Sequence, residues 1–300
     1  MTRRASLFVA LIAAGVTVTI DAQTPTATRQ LRANDADLSY VEQGRGAPVV
    51  FVHGAVADLR YWEPQRAAFA RQHRFVAYTF RYHGTAPWTD GGKLYSSQTH
   101  AADLAAFIAG LKAGPVHLVG LSYGGLLAAM VAVKQPELIQ TLTLAEPALF
   151  ALLQNQPDAK PALDEWAKGV APMMEAMKAG DALKATRLLS ALVHGEPPDS
   201  FDKLPPALRQ MLTDNARTLP ALFAAAPSSV PCESLAAVKT PTLVIRGERS
   251  PAIFLKTNEA VARCIPGSRS AVVPNASHTM SYQNPPAFNR TVLDFISKPR

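Results

Sequence analysis

Apolar positions along the chain alternate between two patterns. Short β-branched runs bounded by turn formers lie at 48–52, 75–78, 116–119, 141–144, 242–245 and 270–273, and each predicts a strand. Between most of them, alanine- and leucine-rich stretches at 101–111, 124–134 and 258–264 carry helical spacing, and 285–296 predicts a closing helix. Strand alternating with helix predicts the α/β class, with a mainly parallel central sheet covered by helices on both faces. Residues 36–43 alternate polar with apolar, the pattern of an antiparallel hairpin on the sheet edge.

One segment breaks the rhythm. Residues 150–231 contain no strand-like run and are rich in Ala, Leu, Met and Pro. Asp181 reads as an N-cap, Leu183, Leu188, Leu189 and Leu192 as the apolar face of the helix that follows, and Gly195 as its stop. Pro205 and Pro206 then open a second helix through Leu208, Met211 and Leu212. A stretch of about 80 residues is too long for a loop. It is expected as a helical lid inserted after the sixth strand, flanked by two core segments, 23–149 and 232–300. Trp166, Met173, Met174, Met177 and Met211 are expected chiefly as the lid's own core, although any one of them could line a pocket.

Composition narrows the setting. Arg3 and Arg4 precede an uncharged apolar stretch at 5–20, and small Ala22 follows, so residues 1–22 read as a secretory signal peptide with the mature chain starting near Gln23. The stretch is short of the ~20 residues a span needs, which argues against a stable membrane helix and for a periplasmic or secreted protein. The net charge of +7 comes from 30 basic and 23 acidic residues. Beyond Arg3 and Arg4 the basic residues are scattered, so no nucleic-acid partner is expected. Two cysteines exclude a four-thiolate zinc site, and no histidine pair shows metal-ligand spacing, so neither metal nor cofactor is expected. Cys232 and Cys264 could bond in an oxidising compartment or stay as two thiols.

The chemistry concentrates at Gly120-Leu121-Ser122-Tyr123-Gly124, between a predicted strand and a predicted helix. A strand that turns abruptly into a helix holds the residue at the bend in a strained conformation, and flanking glycines let the neighbouring chains approach. That is the nucleophile elbow, G-x-S-x-G, with Ser122 as nucleophile. From about Leu38 to the C-terminus the chain resembles the capped α/β-hydrolases: His53-Gly54 is similar to their oxyanion loop, Arg81 with Gly84 to the loop that follows, and Asn275-Ala276-Ser277-His278 to their histidine loop. Ser277 and Thr79 depart from that pattern, standing where glycine and aspartate are usual.

A serine hydroxyl needs a base, and the base an orienting carboxylate. His278, in a loop beyond the last strand, is the expected base. His53 is expected to brace the oxyanion loop, His117 to point out of a strand, and His73, His83, His100 and His194 to lie on surface-type segments. The commonest family position for the acid holds Ser250, which leaves Glu146 and Glu248. Glu146 is preferred because it follows a strand's C-terminal end, where functional groups gather in open parallel sheets. Lactonases resembling the fungal zearalenone-opening enzyme carry their acid there. Glu248, between Arg246 and Arg249, is the alternative.

The backbone N–H groups of Tyr123 and of Ala55, or its neighbour Val56, are expected to form the oxyanion hole, and Tyr61, Trp62, Trp88 and Phe150 the pocket walls. The resemblance implies acyl transfer to Ser122 and hydrolysis of a small apolar ester or lactone. Carbon–carbon cleavage of a diketone and a non-catalytic small-ligand receptor are the alternatives.

Overall fold

The structure, a computed structural model, describes residues 27–298, so the expected signal peptide lies outside the described residues. The chain opens with β1 (Arg29–Ala33) and β2 (Ala36–Gln43), an antiparallel hairpin, followed by β3 (Pro48–Val52), α1 (Glu63–Ala70) and β4 (Arg74–Tyr78). Next come α2 (Ser97–Gly110), β5 (Val116–Leu121), α3 (Tyr123–Lys134) and β6 (Ile139–Ala145). The eight strands order as β1-β2-β4-β3-β5-β6, then β7 (Thr242–Gly247) and β8 (Arg269–Val273). Pairing is antiparallel for β1–β2 and β2–β4 and parallel from β4 onward. The run RQLRA of β1 carries too few apolar residues to announce itself, because an edge strand buries little.

Every residue of β3 and of β5 is buried, as a central parallel strand covered on both faces requires. Successive side chains point to opposite faces. Val50, Val52, Val76, Leu118 and Leu144 therefore pack with α2 and α3 on one side. Val49, Phe51, Phe75, Val119 and Ile245 pack with Phe69 of α1, and with Phe288, Val292 and Phe295 that come later in the chain, on the other. Each such side chain contributes ~1.5–3 kcal/mol relative to exposure.

Between β6 and β7 no strand forms among the described residues. Instead the chain builds α4 (Lys160–Lys178), α5 (Ala182–His194), α6 (Pro206–Asn215), α7 (Thr218–Ala224) and α8 (Cys232–Ala236). Asp181 caps α5 by accepting the Lys184 N–H at 2.8 Å, and Gly195 ends it in the left-handed conformation, φ 67°. Leu188, Leu189 and Leu192 of the expected apolar face of α5 pack as expected, and Leu183 does not. Leu183 is 41% exposed, and Leu192 packs against Gly169 of α4, where a Cβ would clash. Beyond β7 follow α9 (Ala252–Cys264), β8, α10 (Met280–Gln283) and α11 (Pro285–Ser297). A disulfide joins Cys232 at the start of α8 to Cys264 at the end of α9. Among the described residues no helix is long and apolar enough to cross a membrane.

Candidate active site

Ser122 stands between β5 and α3 with φ 55° and ψ −119°, a conformation L-residues rarely adopt. The surrounding backbone holds it there. Its N–H donates to Ala145 O at 3.0 Å, and its carbonyl accepts from Leu126 at 3.1 Å and Ala148 at 2.9 Å. A Cβ on Gly120 would come within 2.5 Å of Gly124 O, and one on Gly124 would overlap the Val52 and His53 carbonyls. The two glycines are thus demanded by the close crossing of β5, α3 and the loop after β3.

Glu146 follows β6 directly and is fully buried. Its Oε1 accepts the Gly247 N–H at 2.7 Å, and its Oε2 accepts from His278 Nδ1 at 2.7 Å. A buried carboxylate is tolerable only when its oxygens are satisfied in this way. The His278 ring is 4% exposed and stacks on Phe254 at 3.9 Å between centroids. With Nδ1 bound to Glu146, Nε2 is the imidazole nitrogen left for other partners, and His278 and Ser122 line one cavity of about 290 Å³. Glu248 lies elsewhere: it accepts the Asn275 N–H at 2.7 Å, on the exposed side of the histidine loop. Ser250 is buried and its hydroxyl has no partner among the described residues.

The loop after β3 passes against the nucleophile, with an ideal Cβ on Gly54 standing 3.4 Å from Ser122 Cβ. His53 accepts the Phe80 N–H at Nε2, 3.2 Å away, so its proton sits on Nδ1 and is donated to Gly54 O at 2.8 Å. Fixing that carbonyl turns the N–H of the same peptide plane, that of Ala55, the opposite way. Burial holds the His53 pKa down at about 3, so the ring stays neutral. The Tyr123 N–H belongs to the first turn of α3, where no carbonyl of the helix can reach it and the helix dipole favours negative charge. Among the described residues neither this N–H nor that of Ala55 is engaged in a hydrogen bond.

The cavity wall takes in Ala55, Tyr61, Ser122, Tyr123, Phe150 and His278 of the expected residues, but neither Trp62 nor Trp88. Trp62 is fully buried in the core, 5.0 Å from Phe51 and 6.2 Å from Phe288, because so large an apolar ring is worth most there. Trp88 donates its indole N–H to Tyr82 O at 2.6 Å and packs on Tyr82 and Tyr95. Two histidines expected at the surface are also misplaced: His83 and His100 are 4% and 1% exposed, inside a ring cluster with His53, Phe80, Tyr95 and Tyr123. His194 lines the cavity as well, with Nδ1 donating to Ser190 O at 2.6 Å and Nε2 paired with Thr279 Oγ1 at 2.7 Å.

Among the wall residues that sequence reasoning missed are Thr186, Leu189, Ser190 and Val193 of α5 and Phe254 of α9. Their only signal was helical spacing. No group of acidic, His or Cys side chains suited to a metal occurs among the described residues.

A family model, the alpha/beta hydrolase family, matches residues 49–291, and the chain belongs to that family. The chain is 24% identical over 274 residues to the 2-(acetamidomethylene)succinate hydrolase of Mesorhizobium japonicum, covering 90% of this chain and 95% of that one. It is 26% identical over 254 residues to 3-oxoadipate enol-lactonase 1 of Acinetobacter baylyi, covering 83% and 88%. Among solved structures, the carboxylesterase CesB of Bacillus subtilis superposes with a TM-score of 0.68 at 19% identity, covering 91% and 92%, a likeness of fold.

Proposed function

We propose that this chain is a serine hydrolase that cleaves an uncharged carboxylic ester or lactone through an acyl-enzyme on Ser122. The observation that carries the reading is the 2.7 Å hydrogen bond between buried Glu146 and His278, whose ring lines the same cavity as the strained Ser122. Glu146 keeps the proton of the neutral imidazole on Nδ1, so Nε2 takes the Ser122 proton as the hydroxyl attacks the carbonyl. The oxyanion then forms between the Ala55 and Tyr123 N–H groups; one such donor is typically worth ~3 kcal/mol. The imidazolium returns its proton to the leaving alcohol, and water repeats the sequence to release the acid.

The cavity wall supports an uncharged substrate. Among the described residues it contains no Lys, Arg, Asp or Glu. The two relatives above carry succinate and oxoadipate in their names, and a carboxylate brought into this cavity would lose its hydration without meeting a cation. Helices of the 150–231 segment would then act as the lid over the core segments 23–149 and 232–300. Export by residues 1–22 to the periplasm or beyond agrees with the Cys232–Cys264 bridge, which an oxidising compartment preserves.

A fluorophosphonate probe tests the reading. Wild type should be labelled at Ser122 and hydrolyse 4-nitrophenyl acetate, and Ser122→Ala should lose both, with turnover lower by roughly 10⁵-fold or more. An unlabelled wild type, well folded by circular dichroism, would refute the catalytic role.

A further inference from the structure

Most hydroxyls on the cavity wall already have partners. Tyr61 Oη pairs with Ser281 Oγ at 2.9 Å, Tyr123 Oη with His100 Nδ1 at 2.8 Å, Thr279 Oγ1 with His194 Nε2 at 2.7 Å, and Ser97 with Ser228. Apart from the proposed nucleophile, the exceptions among the described residues are Thr186 and Ser190 of α5, whose hydroxyls have no hydrogen-bond partner although the residues are 1% and 7% exposed.

A buried helical hydroxyl usually solves this problem locally by bonding to the carbonyl one turn back. Buried Thr257 does so, to Ile253 O at 2.7 Å, as do half-buried Thr291, to Ala287 O at 2.9 Å, and exposed Thr213, to Arg209 O at 2.9 Å. Thr186 and Ser190 do not, and both belong to the helix face that lines the cavity with Leu189, Val193 and His194, at spacings of three and four. A lasting unmade hydrogen bond at each is costly. Each hydroxyl oxygen is covered by protein atoms as it stands, so a turn about Cα–Cβ toward the cavity that both residues line is what lets a ligand supply the bond.

We propose that Thr186 and Ser190 form a recognition site for a neutral hydrogen-bonding oxygen of the substrate, an ether, hydroxyl or amide carbonyl carried away from the scissile bond. The inference rests on the ester or lactone hydrolase reading and deepens it by naming a substrate class. A hydroxyl can both donate and accept, and a rotation about Cα–Cβ redirects it without disturbing the helix. Neutrality follows from the uncharged wall, since two hydroxyls alone do not replace the hydration of a carboxylate.

The test uses matched neutral esters in which an oxygen replaces one methylene: 4-nitrophenyl 3-methoxypropanoate against the pentanoate, and 2-methoxyethyl acetate against butyl acetate. The readout is the ratio of kcat/KM within each pair, compared between wild type and the double variant Thr186→Val, Ser190→Ala. Comparing the two proteins cancels the intrinsic reactivity of the esters. In at least one pair the wild-type ratio should favour the oxygen-bearing member about tenfold more than the variant ratio does. Equal ratios in the two proteins overturn the proposal.

The outcome separates from failure of the hydrolase reading, because wild-type turnover of 4-nitrophenyl acetate reports that reading alone. Should no ester be turned over, the shift in Tm on adding 2-methoxyethyl acetate or butyl acetate reads the same pair of hydroxyls. A larger shift with the ether in wild type only supports the site, and equal shifts overturn it.

Discussion

On the sheet side of the cavity, the polar groups of the proposed chemistry are tied down. Glu146 is held by Gly247 and His278, His53 by Gly54 and Phe80, and the Ser122 carbonyl by two N–H groups. On the helical side, α5 and its neighbours offer Leu189, Val193, Trp166 and Leu222, with two hydroxyls that nothing binds. The first arrangement fixes atoms to within fractions of an ångström, as proton transfer requires; the second supplies shape and a few adjustable contacts. The proposed chemistry and the proposed selection thus fall in separate parts of the chain, and substitutions should separate them.

The largest effect tests the sheet side. Glu146→Gln keeps the shape of the side chain but removes the charge that, in the proposed chemistry, orients His278. It should lower kcat by about 10³–10⁴-fold with little change in KM. Glu248→Gln, which alters only a bond to the exposed Asn275 N–H, should keep turnover within about twofold. Equal losses in the two variants, measured on 4-nitrophenyl acetate, would show that the 2.7 Å Glu146–His278 contact does not carry the proposed chemistry.

How much of this was legible follows the same division. The elbow could be read because backbone crowding there demands glycine at 120 and 124, and the demand is local. Glu146 could be read from its place at a strand end, although the strongest local precedent pointed to the position of Ser250. The wall could not be read in this way. Periodicity tells which residues are buried, but not whether a buried face meets another side chain or an open cavity. Trp62 and Phe150 look alike in sequence, yet one fills the core and the other faces the cavity. On α5, Leu183 is exposed while Thr186, three positions on, is buried, because the helix is oriented by its packing on α4 through Leu192 and Gly169. His83 and His100 were misjudged because a neutral imidazole packs among rings much as phenylalanine does.

A smaller effect tests the seam between the two regions. The Cys232–Cys264 bridge, across 32 residues, joins the exit of the helical segment to α9, which carries Phe254 against His278. Loop entropy assigns such a bridge about 3–4 kcal/mol. Replacing both cysteines by serine should lower Tm by roughly 6 °C. Reductant should lower wild-type Tm similarly and leave the variant unmoved. A wild-type Tm insensitive to reductant would mean that the thiols are not joined, and the argument for an oxidising compartment would go with it.

The smallest effect asks which side yields first to acid. Burial pushes the His53 pKa down to about 3 and that of His83 to about 4, and His100 lies well below its ordinary value for the same reason. All three underlie the sheet side of the cavity. Their neutral forms are favoured in the folded chain, so the stability they protect is complete above the unfolded value of about 6.5 and is lost as pH falls toward the folded values. At pH 5 His53 and His83 each cost about 2 kcal/mol relative to pH 7, and His100 acts in the same direction. His83→Phe preserves the ring packing with His53, Phe80 and His100 while removing one proton site, at the expense of the bond to Arg81 O. The variant should start with a lower Tm at pH 7 yet lose less between pH 7 and pH 5, by about 3 °C. Calorimetry at the two pH values checks this. Parallel losses in variant and wild type would move the acid-sensitive group out of the ring cluster, with His194 on the helical side, whose pKa burial also lowers, as the next to replace.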